Sequence, residues 1–355
     1  MTDTKHVPAG DERAQDAETR DLGAESVGRP ASAGDRPGAM ATIEEPLSIA
    51  EPDLSLAYES GVELKARSQW AYARIRFFRH RLALGSLLVI IVAGFVAIFA
   101  DRVAPYGYDE IPLDNLLNSI NRGPTLDGWH LFGTDQLGRD YLSRVIFGIR
   151  TSLWVALFVA SLSTVFGTAV GAIAGYYGGV VDNLLMRFTD LILTLPGLAV
   201  LLTAAAFFGS GDPFKVGLIL AFLFWTGIAR IVRGVFLSLR EKEYVEAAKA
   251  AGASDARIIV RHMLPNTVGP IVVNATLVVA SAILVEAALS FLGFGIQPPN
   301  PALGSLISAG QSEGFRLWWL VTFPGLVIVV VALAINFVGD GLRDALDPTQ
   351  RRVRA

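Results

Sequence analysis

The stretch Leu82-Ala-Leu-Gly-Ser-Leu-Leu-Val-Ile-Ile-Val-Ala-Gly-Phe-Val-Ala-Ile-Phe-Ala100, closed by Arg81 on one side and Asp101 on the other, holds no charged residue. As a helix rising 1.5 Å per residue it comes close to the ~30 Å of hydrocarbon in a bilayer, so it reads as a transmembrane span. Comparable runs follow at Thr151 to Tyr177, about Leu191 to Phe208, Val216 to about Leu239, Thr267 to about Leu292 and Leu317 to Val338. The fourth is uncharged only as far as Ala229, and Arg230 and Arg233 continue it by snorkelling to the interface. The fifth is interrupted by Glu286. The fold class expected is therefore all-α: a polytopic membrane protein with six transmembrane helices.

Composition agrees. Hydrophobic residues make up 52% of the chain and charged ones 18%, with a mean hydropathy of +0.47. That is too little charge to coat a soluble surface, where roughly a quarter of residues are charged. The absence of cysteine excludes disulfides, thiolate-bound zinc and thiol chemistry. Four histidines, with His6 and His80 outside any plausible site, argue against a histidine-rich metal centre.

The net charge of −3 averages two unlike parts. Residues 1–60 carry thirteen acids against five bases, a net of −8, which leaves +5 for the remainder. Rich in Ala, Gly, Pro and acids and without a sustained apolar period, segment 1–64 is expected to be a disordered tail. It also lacks the apolar core of a signal peptide. Either a solvated tail or a regulatory docking segment fits its composition. The transmembrane body is placed at 65–348, with the first span at 82–100, a long loop at 101–150 and the other spans within 151–338; a short tail, 349–355, follows.

Lys and Arg set the orientation. Arg74, Arg76, Arg79 and Arg81 precede the first span, seven bases lie from Arg230 to Arg261, and Arg343, Arg351, Arg352 and Arg354 follow the sixth. The third-to-fourth and fifth-to-sixth connections hold only Lys215 and Arg316. Both termini and the fourth-to-fifth loop are thus expected inside, and loop 101–150 outside, although that loop also holds five arginines among more acids.

The fourth-to-fifth loop, Glu241 to Asn266, reads as two short helices. Tyr244, Ala247, Ala248 and Ala251 recur at helical spacing and form one face; Gly252 suits the left-handed position after the helix; Ser254 suits an N-cap, with Asp255 in the next first turn. Ala256, Ile259, Val260, Met263 and Leu264 make a face on the second helix, and Pro265 is expected to stop it. A face of alanines rather than leucines gives up buried area and lets another surface approach the backbone. By composition alone, a helical hairpin packed on its own membrane domain and a docking element fit equally well.

Glu246-Ala247-Ala248, then Gly252, then Leu264-Pro265 resemble the EAA loop of bacterial ABC-importer permease subunits, with His262 where isoleucine is common. His130 to Arg144, Gly148 to Leu153 and Ala288 to Pro299 are similar to segments of the "C" permeases of dipeptide and oligopeptide importers, with Leu303 where tryptophan often stands. The likeness runs from about Arg67 to Pro348. It implies a type I ABC-importer permease fold in the inner membrane. It also implies a coupling loop made of Tyr244, Glu246, Ala247, Ala248, Ala251, Gly252, Ala253, Ser254, Leu264 and Pro265, which docks one or two ATP-binding subunits. The further partners implied are a paralogous permease, forming a heterodimer, an external solute-binding protein and the lipid bilayer; no nucleic acid is implied. No cofactor is expected on this chain, with ATP and Mg on the partner subunits, and no metal site or catalytic residue.

Other residues have two readings. Glu286 either meets a substrate ammonium on the pathway or is a structural carboxylate at a helix contact; Asn274 is a second pathway candidate. Asp135, Arg139 and Asp140 are expected to form a charge-paired outer segment near a docked binding protein. Gly167, Gly171 and Gly175 allow close helix packing, within the subunit or to a partner. Pro196-Gly197 and Pro324-Gly325 either flex a gate or are simply tolerated. Trp318-Trp319 fit an interfacial anchor. No Gly-x-x-x-x-Gly-Lys-Ser/Thr occurs, so an energy source must be another polypeptide. Rival readings are an importer of nickel chelates, glutathione or oligosaccharides, a self-contained channel or secondary transporter, and a membrane-bound enzyme.

Overall fold

The computed structural model describes residues 69–111, 120–209 and 211–346. The acidic segment 1–64 and the C-terminal tail 349–355 lie outside the described residues.

Helix α1 (Gln69–Arg79) is followed by α2 (Arg81–Ile98), the first apolar span. His80 interrupts them in an extended conformation, and its Nδ1 accepts the Ala83 N–H at 3.1 Å, capping α2. Then come α3 (Tyr141–Tyr177), α4 (Gly179–Thr194), α5 (Gly197–Phe208), α6 (Pro213–Arg240) and α7 (Glu243–Ala250). They are followed by α8 (Asp255–Phe291), α9 (Leu303–Gln311) and α10 (Trp319–Leu346). The described residues contain no strand, only an isolated bridge between Thr134 and Asp140. In lipid every backbone polar group must find its partner within the chain, and helices meet that demand locally.

Helices α2, α3, α6, α8 and α10 are long and apolar enough to cross a membrane, and α4 with α5 makes a sixth span if counted as one. The apolar run expected from about Leu191 to Phe208 is broken at Pro196-Gly197: the pair is bent by 84°, and its first helix starts earlier, at Gly179. Leu195 is extended, as a residue before proline prefers, and the chain re-enters helix after Pro196. The helix that carries the second apolar run starts earlier than Thr151, at Tyr141. Asp140 caps α3 by accepting the Ser143 N–H at 2.7 Å, while Arg144 and Arg150 pair with Asp135 and Asp101, so charges in the first turns do not delimit the helix.

The expected stop at Pro265 is also corrected. Residues Ile258–Met263 form a π-helical stretch, and the Leu264 N–H reaches back to the Ile259 carbonyl, so α8 runs unbroken into the fifth span. The wider turn presents Pro265 as the first turn of a new α-helical stretch, where its missing N–H costs little.

At 37 residues, α3 is the longest helix together with α8, about 55 Å from end to end. Gly167, Gly171 and Gly175 of α3 pack against α6: an added Cβ would meet the Trp225 carbonyl oxygen at 2.5 Å, the Ala229 carbonyl oxygen closer still, and the Phe236 Cβ at 2.6 Å. The glycine repeat therefore serves packing within the subunit. Two buried clusters sit toward opposite ends of α3. One gathers Tyr141, Val145, Leu303, Leu306 and Leu320; the other Tyr176, Phe236, Val245, Ile258 and Met263. Trp318 is half exposed as an interfacial anchor would be, but Trp319 turns inward, its Nε1 donating to the Thr134 carbonyl at 3.3 Å.

Replacing Gly171 by leucine drives a side chain into the α6 backbone, at a cost of at least about 2 kcal/mol. The expected outcome is a lowered melting temperature of the solubilised protein, whereas Gly227→Ala, with nothing within 4 Å of the added carbon, does not lower it.

Candidate functional site

Helix α7 leaves the end of α6 through Glu241 and Lys242, with Glu243 and Glu246 in its first turn and Lys249 in its last, matching the helix dipole. Val245 is fully buried, against the cluster that includes Phe236, Ile258 and Met263, and Ala248 packs on the same cluster. Tyr244, Glu246, Ala247 and Ala251 are exposed. The face expected from spacing is therefore split: Ala248 turns to the protein, and Tyr244, Ala247 and Ala251 turn away from it. Around that small-residue strip stand the exposed side chains of Glu241, Lys242, Lys249, Arg257 and Arg261.

The helix ends as its glycine suggests. Gly252 has φ +77, its N–H donates to the Lys249 carbonyl at 2.9 Å, and the Ala253 N–H donates to the Ala248 carbonyl at 3.1 Å. Nothing lies within 4 Å of a Cβ added at Gly252, so conformation alone demands glycine there. Ala253 is half-buried. Ser254 takes the N-cap position in extended geometry, though its hydroxyl makes no capping bond. Beyond it, the apolar face differs from expectation: Ile258 and Met263 are buried and Leu264 half-buried, while Ala256 and Val260 are exposed, because the π-helical stretch rotates the register. Pro265 is exposed, and Asn266 Nδ2 donates to the His262 carbonyl at 2.7 Å and to the Tyr244 hydroxyl at 3.5 Å.

Tyr176, absent from the residues expected here, ties the loop to α3. Its hydroxyl donates to Asp255 Oδ1 at 2.6 Å, and Lys249 Nζ stands 5.4 Å from its ring centroid. Arg240 reaches the Tyr176 carbonyl at 3.3 Å, satisfying an end of α3. Arg233 holds Asp182 of α4 through two nitrogens, and Arg230 pairs with Asp190. The cations that the sequence suggested as snorkelling are thus matched by carboxylates on α4. The ends of α3, α6, α7 and α8 form one framework behind the open strip.

At the other end of α3, Asp135 is buried and accepts the N–H groups of Leu137 and Arg139 at 2.9 Å each, while the Arg139 and Arg144 guanidiniums close on its other oxygen. Asp140 pairs with His130 at 2.8 Å as well as capping α3. The segment is held to α10 and α9 by Tyr141, whose hydroxyl lies 2.6 Å from the Leu320 carbonyl and 3.2 Å from that of Leu306. Asp135, Arg139 and Asp140 come together as two linked pairings, in which Arg144 and His130 supply the other halves.

Glu286 is wholly buried and accepts hydrogen bonds from Ser152 at 2.9 Å and Ser290 at 2.7 Å. Ser290 in turn accepts the Ile296 N–H at 2.9 Å, so the carboxylate links α3, α8 and the turn after α8. Asn274 is half-buried, and its Nδ2 bonds back to the Pro270 carbonyl at 2.8 Å. The structure does not bring Glu286 and Asn274, three turns apart on α8, into one site. Among the described residues no group of three or more His, Asp or Glu gathers as a metal set.

Comparison with known proteins adds to this geometry. Residues 167–352 match the model of the family described as "Binding-protein-dependent transport system inner membrane component", and residues 68–124 match "N-terminal TM domain of oligopeptide transport permease C". An oligopeptide transport system permease protein of Haemophilus influenzae is 41% identical over 82% of this chain and 92% of its own length. A dipeptide transport system permease protein of Alkalihalophilus pseudofirmus is 39% identical over 81% of this chain and 92% of its own. Among solved structures, a chain of the inward-facing MetNI methionine ABC transporter is 19% identical, with a TM-score of 0.48 over 58% of this chain and 97% of that one.

Tyr176→Phe removes the donor to Asp255 and loosens the loop by about 1–3 kcal/mol. Limited trypsin digestion at Lys242 and Lys249 is expected to speed up several-fold, while Tyr177→Phe leaves the rate unchanged.

Proposed function

The chain belongs to the family of binding-protein-dependent transport system inner membrane components, and from that membership we propose that it is a permease subunit of an ATP-driven ABC importer for dipeptides or oligopeptides. The observation that carries the reading is the open strip of Tyr244, Ala247 and Ala251 beside Glu246, on a helix anchored by Val245 to the ends of three long helices. A partner can approach the backbone there, and a push on α7 has a rigid body to act upon. The peptide substrate class is supported by the two relatives' names.

In this reading ATP-binding subunits dock on Glu246 to Pro265 and hold the ATP and Mg, since this sequence has no P-loop. A paralogous permease completes the pathway; exposed Val180, Leu184 and Phe207 on α4 and α5 leave apolar surface for it or for lipid. An external solute-binding protein delivers substrate at the end that carries Asp135, Arg139 and Asp140. The Lys and Arg distribution supports placing both termini and the loop on the cytoplasmic side of the inner membrane. Closure of the ATP-binding pair displaces α7, and α3, α6 and α8 carry the displacement toward the far end, alternating access to the pathway.

Glu246→Lys reverses a charge on the open strip, and Gly252→Pro forces φ from +77 to about −65. Both variants are expected to insert and assemble yet to lose at least about tenfold of peptide uptake per ATP hydrolysed in reconstituted complexes. Substrate-stimulated hydrolysis and uptake equal to wild type in either variant would remove the loop from this role.

A further inference from the structure

Between Gln69 and Ala100 the sequence holds four arginines, Arg74, Arg76, Arg79 and Arg81, and no acid. Arg74, Ile75, Phe78, Arg79, Arg81 and Leu82 are exposed, with Ile75 at 40%, Phe78 at 58% and Leu82 at 64%. Spacings of three and four residues bring Arg74, Ile75, Phe78 and Arg79 onto one face of α1. The opposite side is already used: a Cβ on Gly341 of α10 would meet Phe77 at 3.3 Å, and Ala83 closer still. Among the described residues no carboxylate lies within ion-pair distance of Arg74, Arg79 or Arg81, although Asp340 and Asp344 are exposed on the same end of α10.

The height of α1 along the bundle follows from contacts. Gly341 packs on the α1–α2 junction, and a Cβ on Gly269, near the start of the fifth span, would lie 3.7 Å from Leu346 at the end of α10. Helix α1 therefore lies at the end of the helices that carries the α7 loop. Its open apolar residues continue into the uncovered face of α2, where Leu88, Ile91 and Phe95 are more than half exposed. Among the described residues nothing covers that face.

We propose that α1 is a binding surface for anionic phospholipid. The guanidiniums of Arg74, Arg79 and Arg81 take headgroup phosphates, for which their planar donor forks are suited, while Ile75 and Phe78 enter the acyl boundary beside Leu82. Two observations select a lipid over a protein partner. The apolar face is continuous with the uncovered apolar face of a candidate span, and the cations Arg74, Arg79 and Arg81 at that span's N-terminal end have no ion-pair partner among the described residues. An anionic leaflet attracts each such arginine. This inference does not depend on what the protein transports.

The test uses the full-length chain, alone and in its assembled complex, in phosphatidylcholine vesicles doped with a photoactivatable phosphatidylglycerol or a photoactivatable phosphatidylcholine. Mapping of the labelled peptides should show the anionic probe concentrated on 74–82 relative to the neutral probe and relative to the basic loop 240–261. Joint substitution Arg74→Gln, Arg79→Gln and Arg81→Gln should cut the anionic labelling at least about tenfold without changing the neutral labelling, and the three lysine replacements should keep most of it. Equal labelling of 74–82 by the two probes in the wild-type chain overturns the proposal, and that comparison needs no variant to fold. Full labelling in the glutamine variant overturns it too, as does loss of the label in the assembled complex, which would mean that a protein subunit covers α1.

Discussion

The α3–α6 contact is the constraint on which the rest of the structure depends. Gly167 and Gly171 let the carbonyls of Trp225 and Ala229, and Gly175 the Cβ of Phe236, come where a methyl group would otherwise sit. Without an aqueous driving force inside a bilayer, helices associate through close packing, and small residues permit the closest. The same two helices then carry the machinery at their ends. Tyr176 and Phe236, at the C-terminal ends of α3 and α6, form the base on which Val245 and Ile258 rest. Asp140 and Tyr141, at the start of α3, hold the outer charged segment against α9 and α10.

That arrangement explains how a docking element made of small residues can be firm. Helix α7 has eight residues and one fully buried side chain, too little to be stable alone. Its geometry is imposed by neighbours: the Gly252 turn, the Tyr176–Asp255 hydrogen bond and the packing of Met263 and Ile258. Within the transport reading, stiffness is the property that matters, because a displacement absorbed by a soft loop would not reach the pathway.

Much of this was legible in the sequence because it follows from local rules. Uncharged runs mark the spans; Gly252 marks a left-handed turn; the glycine repeat marks a close helix contact. What escaped depends on tertiary partners or on backbone geometry without a residue signature. Pro265 reads as a helix stop, and only the π-helical turn before it explains why α8 continues. Pro196-Gly197 fits either a flexing gate or simple tolerance, and the 84° bend is set by an extended Leu195 that a hydropathy window cannot register. Tyr176 carries no signal of its role in the sequence, since its partner Asp255 is seventy-nine residues away. Arg144 and Arg150 fall in the loop 101–150 by charge, because hydropathy does not register that Asp135, nine residues away, and Asp101, forty-nine away, neutralise them. Trp319 differs from Trp318 only in which way it points.

The central claim, that the open face of α7 receives an ATP-binding subunit, can be tested directly because the chain has no cysteine of its own. Single cysteines at Ala247 and Ala251, with one at exposed Gln136 at the far end of α3 as the comparison, would be treated with a short thiol-to-amine cross-linker in membranes containing the co-expressed system. The expected result is a cross-link from Ala247→Cys and Ala251→Cys to a polypeptide carrying a Gly-x-x-x-x-Gly-Lys-Ser/Thr sequence, and none to that polypeptide from Gln136→Cys. Cross-linking of the two loop positions only to other copies of this chain, or to no ATP-binding polypeptide at all, would contradict the claim.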